Sequence, residues 1–245
     1  MLISLASKCA VIEKLYEIHA GQCSQFKLAC ERQCAACCTR NLTLTTLEGF
    51  VLLRHLEANL APDWPTRLNG AAGRFQPRLT LNELARRCAQ NLDIPEDHPD
   101  SLNGPCPLLA EAAEPALCPV YKVRPFGCRA MVSQTACSSG QAARMPEFLL
   151  TLNHVLLQYI EGLDIPGFSG NLVDVLLFLA DPGNRQAYAQ QLILEPPPAL
   201  LKNRPVSVLM IPPEHRGQIQ PILQAVQAEI KRAFLQSGLD GPKEV

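Results

Sequence analysis

The chain has 245 residues, with 22 basic against 23 acidic side chains, 47% hydrophobic residues and 5% aromatic ones. Near-neutral charge without a basic block excludes the phosphate-neutralising surface of a non-specific nucleic-acid binder, and so few aromatics leave little for base stacking. No apolar run approaches the roughly 18 residues of a membrane span, so a protein with neither nucleic-acid nor membrane partners is expected.

In chain order, the expected structure is mostly helical. From about Ser7 to Cys38, Val11, Ile12, Leu15, Ile18, Phe26, Ala29 and Cys30 recur at helical spacing, with Gly21 as the one weak point. Thr45-Thr46-Leu47-Glu48 reads as a capping box opening a helix to about Leu60, whose inner face would be Leu47, Phe50, Val51 and Leu56. A proline- and glycine-bearing loop containing Trp64 follows. Thr80-Leu81-Asn82-Glu83 repeats the capping signature before a shorter helix to about Asn91. Between residues 93 and 120, Pro95, Pro99, Pro105, Pro107, Pro115 and Pro119 exclude a continuous helix. Helical periodicity returns at about Pro146–Gly162, Gly170–Ala180 and Gly183–Leu194, and Val206–Ile211 is the best strand candidate. A last amphipathic helix spans about Gln218–Leu235, with Ile219, Ile222, Leu223, Val226 and Ile230 inward.

The cysteines are the anomaly. There are 11, an odd number that rules out complete intrachain pairing. Residues 1–15 lack a basic start, and Lys8, Glu13 and Lys14 interrupt any apolar stretch, so a secretory signal is not expected and the cytoplasm is the expected compartment. In a reducing compartment clustered thiols serve as metal ligands or catalytic groups more often than as disulfides. All cysteines precede residue 138. Residues 1–140 are therefore expected to be a cysteine-cluster metal-binding region, with 141–245 a helical extension packed on the same domain.

Cys30, Cys34, Cys37 and Cys38 form the first block. On a helix they would share one face, but eight residues rise about 12 Å, too far for one mononuclear metal. Either the helix ends within the motif, or the thiolates serve a cluster or two centres. A second block supplies Cys106-Pro107, Cys118-Pro119, Cys128 and Cys137, with proline holding the first two out of helical conformation. Thiolates suit zinc or iron, including a [4Fe–4S] cluster, rather than magnesium or calcium. Arg124 and Arg129 are the candidates to balance thiolate charge and donate to the centre; the alternative for each is a surface ion pair. Cys9, Cys23 and Cys88 lie outside the blocks and read as packing residues. His98, within Glu96-Asp97-His98-Pro99-Asp100, reads as a solvated acidic loop rather than a hard-cation site, and the other histidines are scattered.

The two blocks, CERQCAACC and CPLL…LCPVYKVRPFGCRA, resemble the bacterial YkgJ-type cysteine-cluster family, a zinc- or iron-chelating domain of the CxxCxxCC type. Its second block is matched at Cys106, Pro107, Leu109, Cys118, Tyr121, Arg124, Pro125, Cys128 and Arg129, while Cys30 and Cys34 depart from the first by enclosing three residues. The resemblance spans roughly residues 30–137 and implies metal binding without implying a reaction. Sequestration, delivery or a metal-stabilised module is the leading expectation. The spacing Cys30-x3-Cys34-x2-Cys37 is also that of radical S-adenosylmethionine enzymes, although no βα repetition accompanies it and Ala36 stands where those motifs carry an aromatic residue. The cysteine-rich region of flagellin lysine methylases is similar as well, so an iron–sulfur enzyme modifying a protein side chain is the alternative. A third reading, an interaction scaffold held together by metal, would require an apolar patch on the C-terminal helices.

Overall fold

The computed structural model describes residues 3–31, 34–59, 64–69, 74–97, 104–109, 118–137 and 142–239. Nine α-helices and one three-stranded sheet occur among them: α1 (Leu5–Cys23), β1 (Thr43–Thr45), α2 (Thr46–Asn59), α3 (Trp64–Asn69), α4 (Leu81–Ala89), α5 (Phe126–Ala130), α6 (Glu147–Leu163), β2 (Phe168–Asn171), α7 (Leu172–Ala180), α8 (Pro182–Ala189), β3 (Leu200–Lys202) and α9 (Arg216–Leu239). No described helix is long and apolar enough to cross a membrane. The expected mostly helical class is observed.

Two apolar cores organise the chain. In the first, Ile12 and Leu15 of α1 pack with Leu152, Val155 and Leu156 of α6 and with Ile219 and Val226 of α9, all essentially without solvent exposure. In the second, Leu52, Leu53 and Leu56 of α2 meet Val173, Leu176 and Leu179 of α7, with Phe168 and Leu200 from the sheet. Burial of that kind contributes about 1.5–3 kcal/mol per side chain. Phe234 and Leu235 are exposed on α9.

The sheet joins the two regions. Antiparallel pairing sets Thr43 against Asn171 and Thr45 against Ser169, and β3 continues on the other edge with Leu201 opposite Ser169. Asn171 then caps α7 by accepting from Val173 N–H at 3.0 Å, while its amide donates to Arg40 O at 2.8 Å and Phe75 O at 3.0 Å. That one side chain fixes the end of the first cysteine block against α7.

Three expectations need correction. The first helix ends at Cys23, well before Cys38: Ser24 caps it, and Ala29 N–H bonds Ser133 O at 2.8 Å instead of continuing the helical ladder. The residues around Trp64 form α3 rather than only loop. Val206–Ile211 lies outside the sheet; its stretch wraps α6, where Gln158 donates to Val208 O at 2.7 Å and accepts from Met210 N–H at 3.0 Å. The strands are instead two short runs of three residues and one of four, too brief for period-2 patterning to reveal. The first capping box forms, with Thr45 Oγ1 accepting from Glu48 N–H and Glu48 returning to Thr45 N–H at 3.2 Å; at the second Thr80 accepts from Glu83 N–H at 3.3 Å, while the Glu83 carboxylate pairs with Arg86 and Arg87.

Candidate metal centre

With α1 finished at Cys23, the first block is free to turn. Cys34 N–H bonds Glu31 O at 3.1 Å and Cys38 N–H bonds Ala35 O at 2.9 Å, coiling the cysteines into consecutive turns. The chain then pairs briefly with the second block. Thr39 bridges Pro105, with Cys106 N–H donating to Cys38 O and Arg40 N–H to Gly104 O, both at 2.9 Å. Pro105 sits at the position where no donor is needed, so its missing N–H costs nothing. A side chain on residue 104 would overlap the Arg40 guanidinium, so glycine lets that guanidinium lie against the bridge. The pairing sets Cys38 beside Cys106.

Two tight turns present the next sulfurs. In Cys106-Pro-Leu-Leu, Leu109 N–H closes on Cys106 O at 3.0 Å; in Cys118-Pro-Val-Tyr, Tyr121 N–H closes on Cys118 O at 3.2 Å. Each turn aims backbone N–H groups at its own sulfur, from Leu108 and Leu109 for Cys106 and from Val120 for Cys118. Such bonds favour the thiolate. Cys128 comes from α5, which begins after Pro125 and whose Phe126 N–H donates to Glu48 Oε1 at 2.6 Å. Glu48 also receives Tyr16 O–H at 2.8 Å. The capping residue of α2 therefore holds α5, and through it Cys128, in position.

Cys30, Cys34, Cys37, Cys38, Cys106, Cys118 and Cys128 line one cavity of about 280 Å³. Its remaining wall is mostly apolar, including Leu42, Leu52, Leu108, Val120, Met131 and Leu172. Cys137 is not part of that wall; its thiol faces Thr135 O at 3.9 Å, on the segment whose Ser133 N–H donates to Cys30 Sγ. All 11 cysteines are free thiols. Among the described residues no three His, Cys, Asp or Glu side chains are drawn close enough to hold a metal ion as they stand. Cys38, Cys106, Cys118 and Cys128 nevertheless each lie within range of the other three's charge.

The electrostatics are those of crowded thiols. Burial, then the neighbouring charges of Cys106 and Cys118, pushes Cys128 up to about 12. Burial likewise raises Cys106 and Cys118, against the pull of their backbone N–H groups. The Cys37 thiol donates to the Cys38 sulfur, which raises Cys37 and lowers Cys38. Without a cation the cavity keeps most of its sulfurs protonated.

The arginines divide the work. Arg124 lines the cavity, lies with its guanidinium carbon 4.1 Å from the Tyr121 ring centroid, and has a buried Nε with no hydrogen-bond partner among the described residues. Arg129 spans the loop between Cys118 and Cys128, donating to Arg124 O and Lys122 O, both at 2.8 Å, and lying over the Tyr16 ring. Neither guanidinium is in a surface ion pair of the described residues.

Outside the cavity, Cys9 and Cys23 are half-buried against the first core, whereas Cys88, expected to be a packing residue, is exposed on α4. His98 lies outside the described residues. Glu48, Ser133 and the N–H groups of Leu108, Leu109 and Val120 were invisible as site components in the sequence; only the capping box marked Glu48, for another role.

The donor set fits a thiolate-bound metal. Sulfur is the main donor, and a buried guanidinium nitrogen without a partner suits a negatively charged occupant. No protein-family model, no curated protein and no solved structure matches the chain.

Proposed function

We propose that this protein binds zinc or iron through Cys38, Cys106, Cys118 and Cys128, and serves in metal sequestration, in delivery or as a metal-stabilised module. The observation that carries this reading is the convergence of cysteines from three separate segments on one cavity that Arg124 also lines. The resemblance of the two blocks to the YkgJ-type family supports it. A thiolate-bound zinc would supply rigidity, and iron with sulfide would supply an electron-transfer centre. The chain's own contributions are separable. The two Cys-Pro turns donate N–H groups to sulfur, the Cys38–Cys106 pairing fixes spacing, Glu48 anchors α5, and Arg124 offsets negative charge.

A metal would have to draw the four sulfurs together by displacing their protons, so binding energy becomes folding energy. The test is anaerobic purification with metal and sulfide analysis, an absorption spectrum, and the same measurements on Cys106→Ser. Bound zinc, or iron with sulfide, that disappears in the variant is expected. A chain that retains neither metal, or a variant that keeps its full complement, would overturn the assignment.

The apolar wall favours a second reading. Leu42, Leu52, Leu108 and Met131 leave room beside the sulfurs for part of a substrate, as an iron–sulfur enzyme modifying a protein side chain would need. Its signature is a change in the cluster's electron paramagnetic resonance spectrum on adding S-adenosylmethionine.

A further inference from the structure

Lys8 is a buried cation that the proposed metal site does not use. It stands in the first turn of α1, is only 3% exposed, and donates one hydrogen bond, to Ile165 O at 2.6 Å. An ammonium carries three N–H groups, so two of them have no acceptor among the described residues. Asp164 attracts Lys8 through space. No ion pair of the described residues joins the two, however. The Asp164 carboxylate is already held by Thr46, Leu47, Tyr188 and Asn203. A buried charge is costly unless it is paired and fully hydrogen-bonded, and Lys8 is neither.

Lys8 and Ile165 both line a cavity of about 210 Å³, away from the cysteines, whose walls are chiefly apolar: Ile3, Leu163, Val206, Ile230 and Phe234. Gly162 of α6 helps to keep it open, since a Cβ there would crowd Val206 Cγ2 at 3.1 Å. The cavity adjoins a shallower groove of about 550 Å³ along α9, with which it shares Val206, Ile230 and Phe234. Phe234 is 49% exposed, and Lys231 stands on the groove's outer side.

We infer that this cavity binds the carboxylate end of a slender aliphatic chain, the carboxylate accepting from the two free Lys8 N–H groups and the chain running past Val206 and Ile230 into the groove beside Phe234. The inference is independent of the metal reading. Charge, size and wall chemistry each select this occupant. A carboxylate can take both free donors in charge-assisted bonds, whereas a phosphate or sulfate head would leave further oxygens facing apolar side chains. The space lies below the roughly 300–1,000 Å³ of pockets for drug-sized ligands, so it admits one chain and not a ring system or a folded segment. The apolar walls reward each methylene taken out of water.

The test is isothermal titration calorimetry of the protein with hexanoate, octanoate and decanoate below their micelle concentrations, and with octanol as the uncharged probe. Octanoate should bind about 10–100-fold more tightly than octanol, the worth of hydrogen bonds to a charged group. Each added methylene should tighten binding about fourfold. Phe234→Ser, at an exposed position, should weaken decanoate more than hexanoate. Lys8→Met should reduce octanoate to the affinity of the alcohol, while Lys231→Gln should leave it unchanged. Lys8→Met strips Ile165 O of its donor and can fail to fold, so the comparison of acid with alcohol on the unaltered protein is decisive by itself. Equal affinity for octanoate and octanol, binding of neither, or loss of octanoate binding in Lys231→Gln would overturn the inference.

Discussion

The cysteine cavity and the polar cluster around Asp164 are both buried, and they are opposite in kind. Asp164, fully buried at the end of α6, receives four donors: Thr46 O–H at 2.7 Å, Leu47 N–H at 3.0 Å, Tyr188 O–H at 2.7 Å and the Asn203 amide at 3.0 Å. Thr46 then accepts from Phe168 N–H at 2.9 Å, and buried Lys8 donates to the adjacent Ile165 O at 2.6 Å. The partners come from α1, α2, α8, β2 and Asn203 just after β3. In the cavity burial and crowding raise the Cys106, Cys118 and Cys128 thiols, and Arg124 Nε has no partner among the described residues. A buried polar group is stable only when its hydrogen-bonding and charge requirements are met. The Asp164 carboxylate meets them internally; in the cavity they would be met on the proposed reading, in which metal-bound thiolates take the place of protonated thiols and face Arg124.

The comparison breaks most visibly if Asp164 is removed. Asp164→Ala should cost about 3–5 kcal/mol, since four buried donors lose their acceptor, and the loss should be equal with and without a chelator. Urea unfolding under both conditions measures it. A smaller but opposite pattern is expected for Cys106→Ser, which should lose about 2–4 kcal/mol of stability in metal-loaded protein and almost none after chelation. Equal losses in the two conditions would place Cys106 with Asp164 as a packing residue.

Burial pushes Asp164 up to about 6 from an unfolded value of 3.8. Its folded form therefore holds the proton more tightly, so its favourable share of stability is present below about pH 4 and is lost as pH rises through about 6. Asp164→Asn removes that titration. The stability cost of the substitution should be greater at pH 4 than at pH 7, by at most about 3 kcal/mol; a cost that grows toward neutrality would show that the donors, not burial, set the proton affinity.

Next in size is Arg124→Ala, which should weaken metal retention about 10–100-fold with little change in metal-free stability. Competition against a chelator of known affinity reads this directly, and unchanged retention would remove Arg124 from the site. Cys88→Ser is the smallest: its surface position predicts full metal content and a change within about 0.5 kcal/mol.

Parts of this architecture were legible in the chain. Local signals with a mechanism of their own survived, because their partners lie within a few residues. The threonine N-caps begin α2 and α4 as expected, the reciprocal glutamate bond forming only at the first, and the proline-rich stretch keeps Cys106 and Cys118 in turns. Periodicity failed where long-range bonds competed with local ones. It continued the first helix through Cys38, but Ser133, about a hundred residues away, takes Ala29 N–H and supplies an N–H to Cys30.

The sequence by itself determined a mostly helical chain, the density of thiols and the two blocks that contain them, since composition, caps and proline positions act locally. Only the tertiary structure decided which cysteines share a wall. Cys38 reaches Cys106 through a pairing of two distant segments, Cys137 is left off the cavity wall, and Cys88 is left on the surface. Those outcomes depend on the direction in which each backbone segment leaves its turn, and that direction is set by hydrogen bonds between residues that spacing along the chain does not relate.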